Sequence, residues 1–112
     1  MPQTFSVILS GDELLYVLVL YGVEDEEKFE DYDLNIEDTS QTRLAEGRKS
    51  LAKRNLIKGD GPIPQLDDNL AALVGTTVIG KKKDLEYIDE GTGLHVRFVK
   101  EEGVYLFRGN IE

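Results

Sequence analysis

The hydrophobic and polar positions follow two different periods along the chain, and the first elements show both. Residues 4–9 mix β-branched and aromatic side chains in near alternation, which predicts a short strand or an extended lead-in. Residues 14–21 are apolar on every side of a helical projection, which is typical of a buried helix but also of a buried strand. Ser10 and Glu13 have the spacing of a capping box. This cap favours a helix over residues 11–21, at the centre of the core.

A second long helix is predicted over about 41–57, with Thr39 or Ser40 as its N-cap. At 100° per residue, the apolar side chains fall on one arc and most of the basic ones on the opposite arc. Arg48 lies inside the apolar arc, where an unpaired charge would be costly. The acidic segment 24–38, in which apolar residues are interleaved as in a short amphipathic helix, lies nearby in sequence. We therefore expect Arg48 to pair with an acid of residues 24–38.

The period changes from helical to strand-like after Gly75. Residues 58–64 form a loop by their glycine and proline content, and the leucines of 66–74 repeat at helical spacing up to Gly75. Beyond it the pattern predicts strands, a solvated turn at the lysines 81–83, and further turns. The predicted strands are 76–79, about 84–88, 94–99 and 104–108, with turns at 89–93 and 100–103. We predict one α+β domain over 1–112, with a helical part at about 10–75 and an antiparallel β-meander at about 76–110.

The last predicted strand, 104–108, is apolar on both faces. A two- or four-residue turn before it places Tyr105 and Phe107 on the core side, whereas a three-residue turn with a bulge places Val104 and Leu106 there. Either way the other pair needs a cover, and we expect a strand at the chain end to be an edge open for pairing. We therefore expect a homodimer formed through the C-terminal sheet.

Charge is strongly segregated along the chain. The net charge is −9: residues 1–40 carry −10, residues 41–58 carry +5, and the rest is mildly acidic. Overall acidity argues against non-specific binding to nucleic acid or to an anionic membrane. The simplest account of the basic segment is that it faces the acidic one within the fold, and the functional alternative is a contact surface.

Several classes of chemistry are disfavoured by composition. The chain has no cysteine and one histidine, His95, which excludes thiolate zinc sites and multi-histidine metal sites. It lacks the phosphate-binding, dinucleotide-binding and serine-hydrolase motifs, and His95 is expected on the surface of a strand. Its longest apolar run is far shorter than the roughly 20 residues that span a bilayer, and the N-terminus has no basic secretory signature. We expect no cofactor, no metal, no membrane contact and a cytoplasmic location.

The order of these elements resembles a known family. A helix with basic residues, the ending 51–57 (Leu-Ala-Lys-Arg-Asn-Leu-Ile), a turn and another leucine-rich helix resemble the helical core of winged-helix domains, over residues 10–75. The resemblance implies that helix 41–57 matches the recognition helix of that family. Its exposed face would then carry five residues. These are Arg43, Lys49, Ser50, Lys53 and Arg54.

Because fold alone does not decide function, two interpretations follow. The first is a non-enzymatic protein-interaction domain of an acidic protein, which binds a protein partner through the five residues above. The alternative is a winged-helix-type DNA-binding regulator that uses the same face of helix 41–57. Nucleic acid is the less expected partner because the chain is acidic.

Overall fold

The computed structural model describes residues 3–111, which form helices, a large sheet and a small hairpin. The α-helices are α1 Gly11–Leu20, α2 Glu26–Asp31, α3 Gln41–Lys53 and α4 Asp68–Ile79. The strands are β1 Gln3–Ser10, β2 Ile57–Lys58, β3 Gln65–Leu66, β4 Lys81–Lys83, β5 Glu86–Asp89, β6 Leu94–Glu101 and β7 Val104–Ile111. A single 3₁₀ turn lies at Ile36–Asp38.

Five strands form one antiparallel sheet in the order β1-β7-β6-β5-β4. Helices α1 and α4 pack against one face of this sheet, and α3 packs on α1. Strands β2 and β3 pair separately as a small hairpin after α3. The predicted α+β class with an antiparallel sheet is confirmed, but the sheet is not a C-terminal meander alone, because β1 pairs with β7.

Helix α1 begins where the sequence predicts. The Ser10 side chain accepts a hydrogen bond from the Glu13 N–H, and the Glu13 carboxylate accepts one from the Ser10 N–H. Acids in the first turn also interact favourably with the helix dipole. Residues 14–18 of this helix are all buried between the sheet and the neighbouring helices, so the prediction of a central core helix is confirmed.

Helix α3 begins at its predicted cap, Ser40, but ends earlier than expected. It stops at Lys53, whereas the sequence predicts a helix to about residue 57. The reason is local: Asn55 has φ +59, a left-handed conformation that asparagine tolerates better than most residues and that terminates helices. The Leu56 N–H then bonds back to the Leu51 carbonyl, which closes the helix and directs the chain into β2.

Helix α4 ends later than expected, and the predicted strand 76–79 is wrong. The helix starts at Asp68, after the short strand β3, and continues through Gly75 to Ile79. Gly75 lies inside the helix, and its missing side chain makes room for Tyr21, whose hydroxyl oxygen would lie 3.0 Å from an added Cβ. The lysines 81–83 are not a turn but the edge strand β4.

The turn between β6 and β7 determines which side chains of β7 face the core. Glu101 pairs with Val104, so the loop has two residues, Glu102 and Gly103, both with positive φ as a tight hairpin turn requires. This places Tyr105 and Phe107 in the core, as predicted for a two-residue turn. The expectation that this last strand is an edge is wrong, because β1 pairs with it along eight residues.

Candidate functional site

Three of the five residues predicted as an interaction face are held by acids of α1. The Arg43 Nε donates to Asp12 Oδ1 at 2.6 Å. The Arg54 Nη1 donates to both carboxylate oxygens of Glu13, at 2.8 and 3.0 Å. The Ser50 hydroxyl donates to the same carboxylate at 2.9 Å. The basic segment thus faces acidic residues within the fold, as the simplest account of the charge pattern predicts.

Glu13 is the centre of this arrangement and is almost completely buried. Burial alone would raise the pKa of its carboxyl. Hydrogen bonds from the Ser10 N–H, the Ser50 hydroxyl and the Arg54 guanidinium outweigh burial, so the pKa of Glu13 lies below its ordinary value. A buried carboxylate with this many donors is stabilised as an anion. Its bonds to Ser50 and Arg54 fix the position of α3 relative to α1.

The lowered pKa of Glu13 predicts an acid-dependent loss of stability. The ionised Glu13 carboxylate contributes fully to the free energy of unfolding above its unfolded-state pKa, about 4.3. This contribution is lost as the pH falls through the lower folded-state pKa. Urea unfolding of the wild type and of Glu13→Gln should therefore differ most near neutral pH and converge in acid. Glu46→Gln, at an exposed position on α3, is the control. A difference that stays constant down to about pH 3 would show that folding does not lower the pKa of Glu13.

The α1–α3 contact also shows where the predicted arcs of α3 are wrong. Gly47 is buried against Asp12 and Tyr16, whereas Ala45 and Ala52, which the projection placed on the apolar arc, are exposed. The absence of a side chain at Gly47 lets the two helices approach closely. Hydrophobicity alone could not reveal this, because a glycine counts as neither core nor surface in a projection.

Lys49 and Lys53, the other two residues of the predicted face, remain open to solvent. Neither has an acidic partner within residues 3–111. They are four residues apart and therefore neighbours on one side of the helix. The exposed Ala52 lies beside them and, with Lys49, lines a groove between α3 and the β2–β3 hairpin.

The expected pairing of Arg48 with an acid of residues 24–38 is wrong. Its Nη2 donates to the Gly61 carbonyl at 2.7 Å and, more weakly, to the Gly59 carbonyl at 3.4 Å. These carbonyls belong to the loop between β2 and β3, in which Pro62 and Pro64 have no backbone N–H to donate. Arg48 therefore ties the hairpin to α3 and forms one wall of the same groove.

A second candidate surface is the face of the sheet that α1 and α4 leave uncovered. Here the side chains form rows across the strands. One row is apolar and consists of Val99, Leu106 and Ile8, which are register partners. Arg97 and Arg108 are partners in the next row, and Glu101 and Val104 are partners in the row on the other side. We call this the outer sheet face.

The one histidine also lies on the outer sheet face, as expected of a surface residue. The His95 Nδ1 is 3.0 Å from Glu86 Oε2, and the Arg97 Nε donates to Glu86 Oε1 at 3.0 Å. The hydrogen bond with His95, and then that from Arg97, lowers the pKa of the Glu86 carboxyl. The register neighbours of His95 are Ile88 and Asn110, neither of which is a nucleophile. Glu86 thus joins His95 and Arg97 in one polar cluster on the outer sheet face.

Sequence reasoning predicted self-association through the C-terminal sheet but did not include β1 in the contact. The alternation of β6 places Arg97 and Val99 on one side. What the sequence could not show is the pairing of β1 with β7, because it joins residues from opposite ends of the described chain. That pairing adds Ile8 to the apolar row.

Comparison with protein-family models, with curated proteins and with solved structures finds no match to this chain. Among the helices that the structure describes, none is both long and apolar enough to cross a membrane.

Proposed function

We propose that the chain is a non-enzymatic protein-interaction domain whose contact surface is the open side of α3 together with the β2–β3 hairpin. The observation that supports this most directly is the pair Lys49 and Lys53. They are unpaired within the described residues of a chain with a net charge of −9, and Lys49 lines a groove with exposed apolar surface.

This surface is smaller than the five-residue face predicted from the sequence. Arg43, Ser50 and Arg54 already bind Asp12 and Glu13, so a partner would have to break those bonds to use them. Lys49 and Lys53 require no such exchange. A partner segment that carries acids next to small apolar side chains complements them and the groove, because opposite charges steer association and the apolar contact excludes water.

The second candidate function is a winged-helix-type DNA-binding regulator. It is favoured by the element order, in which three helices lead into an antiparallel hairpin with Ile57 opposite Leu66. The charge distribution favours the first candidate, since few cations of α3 remain free for phosphate contacts and the rest of the chain is acidic.

Charge reversal at Lys49 and Lys53 tests the interaction surface. The experiment measures which proteins each tagged form of the chain captures from an extract of the source cells. Three forms are compared: the wild type, the double variant Lys49→Glu/Lys53→Glu and the matched control Lys81→Glu/Lys83→Glu. We expect at least one specific partner to be reduced about tenfold by the α3 variant alone, since tenfold corresponds to 1.4 kcal/mol, the size of a modest charge contact. Equal capture by the wild type and both variants would contradict the assignment of this surface.

Titration of random-sequence duplex DNA separates the two candidates. An interaction domain should show no binding at any salt concentration. A DNA-binding regulator should bind with an affinity that falls steeply as salt rises, because each phosphate contact releases counterions, and the α3 variant should reduce that slope.

We also propose that the chain associates with itself through the C-terminal sheet. The sheet and the open side of α3 are different surfaces, since α3 packs on α1 rather than on the sheet. A dimer would therefore present two copies of the α3 surface at once.

A further inference from the structure

The outer sheet face carries apolar and charged rows in an order that fits a second copy of itself. We propose that two copies pack through this face in a symmetric dimer whose two-fold axis runs along the apolar row. This inference rests on the self-association proposed above and is independent of the α3 surface. It names the contact residues and the symmetry.

The apolar row provides the centre of the contact. Ile8 and Val99 are 52% and 55% exposed, and both are register partners of the half-buried Leu106 between them. The three side chains lie on adjacent strands, which are about 4.8 Å apart, so they form a continuous apolar strip. No helix covers this strip within the described residues, because α1 and α4 lie on the opposite face.

The two rows that flank the strip carry opposite charges. On one side Arg97 and Arg108 are direct cross-strand partners, an arrangement that is unfavourable for like charges. Arg97 is bonded to Glu86, but Arg108 has no acidic partner within residues 3–111. On the other side of the strip Glu101 has no basic partner within the same residues. The fold therefore leaves an excess cation and an excess anion on the two sides of an exposed apolar row.

Symmetry decides how these charges meet. A two-fold axis along the apolar row reverses the order of the rows, so the arginine row of each copy faces the Glu101 row of the other. Arg97 then lies opposite Glu101 of the second copy, with Arg108 on the adjacent strand. An axis along the strands would keep the row order and place arginines against arginines. The first arrangement brings opposite charges together twice, once on each side of the axis.

The same arrangement also accounts for Val104, which is 42% exposed. Val104 is in the Glu101 row, so the reversed order places it opposite Arg108 of the second copy. The aliphatic part of an arginine side chain covers apolar surface well while its charged end reaches a nearby carboxylate.

A second copy fits this face better than an acidic helix from another protein. An acidic segment would satisfy Arg108 but would place its own carboxylates close to Glu101. A second copy supplies both signs at the required positions, because the contact is self-complementary. The interface is small, so we expect a weak dimer that forms between micromolar and about millimolar concentration.

Sedimentation equilibrium of the wild type and four single variants, from micromolar to about millimolar chain, tests the geometry. Val99→Lys places two lysines on the axis and should weaken the dimer more than tenfold. Its control is Ile63→Lys, which changes an 84% exposed isoleucine in the hairpin loop and should have no effect. Glu101→Lys should weaken the dimer by a similar factor because it replaces attraction to the arginines by repulsion. Its control is Glu46→Lys, the same change in charge on α3.

The outcomes separate this inference from the proposed self-association. A wild type that sediments as a monomer of 12.6 kDa throughout would overturn both. A wild-type dimer that persists in Val99→Lys and Glu101→Lys would overturn the outer-face geometry and leave self-association through another surface. A dimer lost in these two variants and kept in both controls supports the geometry proposed here.

Discussion

Replacing Leu18 by alanine is expected to lower the free energy of unfolding by about 2–5 kcal/mol. Leu18 is fully buried in the helix that contacts the sheet, α3 and α4. Removal of its side chain leaves a cavity that three neighbouring elements cannot all move to fill, because each is also held by other contacts. The expected loss in the free energy of unfolding is therefore large, because the surrounding side chains cannot move to fill the cavity.

Urea unfolding followed by circular dichroism measures this loss. Val19→Ala is the matched control, since Val19 follows Leu18 in the same helix but is 39% exposed, and its change should stay below about 1 kcal/mol. A Leu18→Ala variant with the wild-type midpoint would show that α1 is peripheral to the core.

Replacing Gly47 by alanine is expected to destabilise the protein, opposite to the usual effect of this change in a helix. Glycine in a helix interior costs about 1 kcal/mol relative to alanine, so helix propensity alone predicts a gain. Here an added Cβ would overlap the Asp12 carbonyl, lying 2.7 Å from its carbon, and would come within 3.1 Å of the Tyr16 Cβ. Backbone cannot yield as a flexible side chain can, so α1 and α3 must separate.

We expect a net loss of about 1–3 kcal/mol, in line with overpacked cores, measured by urea unfolding. Separation of the helices should also lengthen the bonds of Arg43 and Arg54 to α1. Gly61→Ala is the control, because a Cβ at Gly61 would have no neighbour within 4 Å, and its effect should be close to zero. A Gly47→Ala variant more stable than the wild type would contradict the close α1–α3 packing.

The elements that the sequence predicted well are those set by local interactions. The start of α1 follows from a capping box between residues three apart. The core side of β7 depends on the length of one turn, which the sequence left open and the structure shows to be two residues. Gly75 lies instead inside α4, where Tyr21 packs against it from a distant part of the chain. No local pattern contains that contact, so the predicted end at Gly75 and the predicted strand after it were wrong.

The candidate site shows the same division. The sequence identified the basic residues of α3 correctly as a group, because composition and charge are local properties. It could not show that Ser50 binds Glu13 whereas Lys49 stays open to solvent, because this difference depends on where Glu13 lies in the fold. Arg48 was assigned an acidic partner because carboxylates are abundant nearby in sequence. In the fold, the carbonyls of Gly59 and Gly61 are its acceptors.

The pairing of β1 with β7 has a consequence for the order in which the chain folds. Thr4 and Asn110, joined by a side-chain hydrogen bond, are 106 residues apart, whereas β6 and β7 are joined by a two-residue turn. Closing the long loop carries a large entropic cost before any contact compensates for it. On the ribosome, β1 therefore has no strand to pair with until β7 has been synthesised, and the apolar face of α1 has no sheet to cover it. Within the described residues, β7 is the last strand to be translated, and it completes the core around α1.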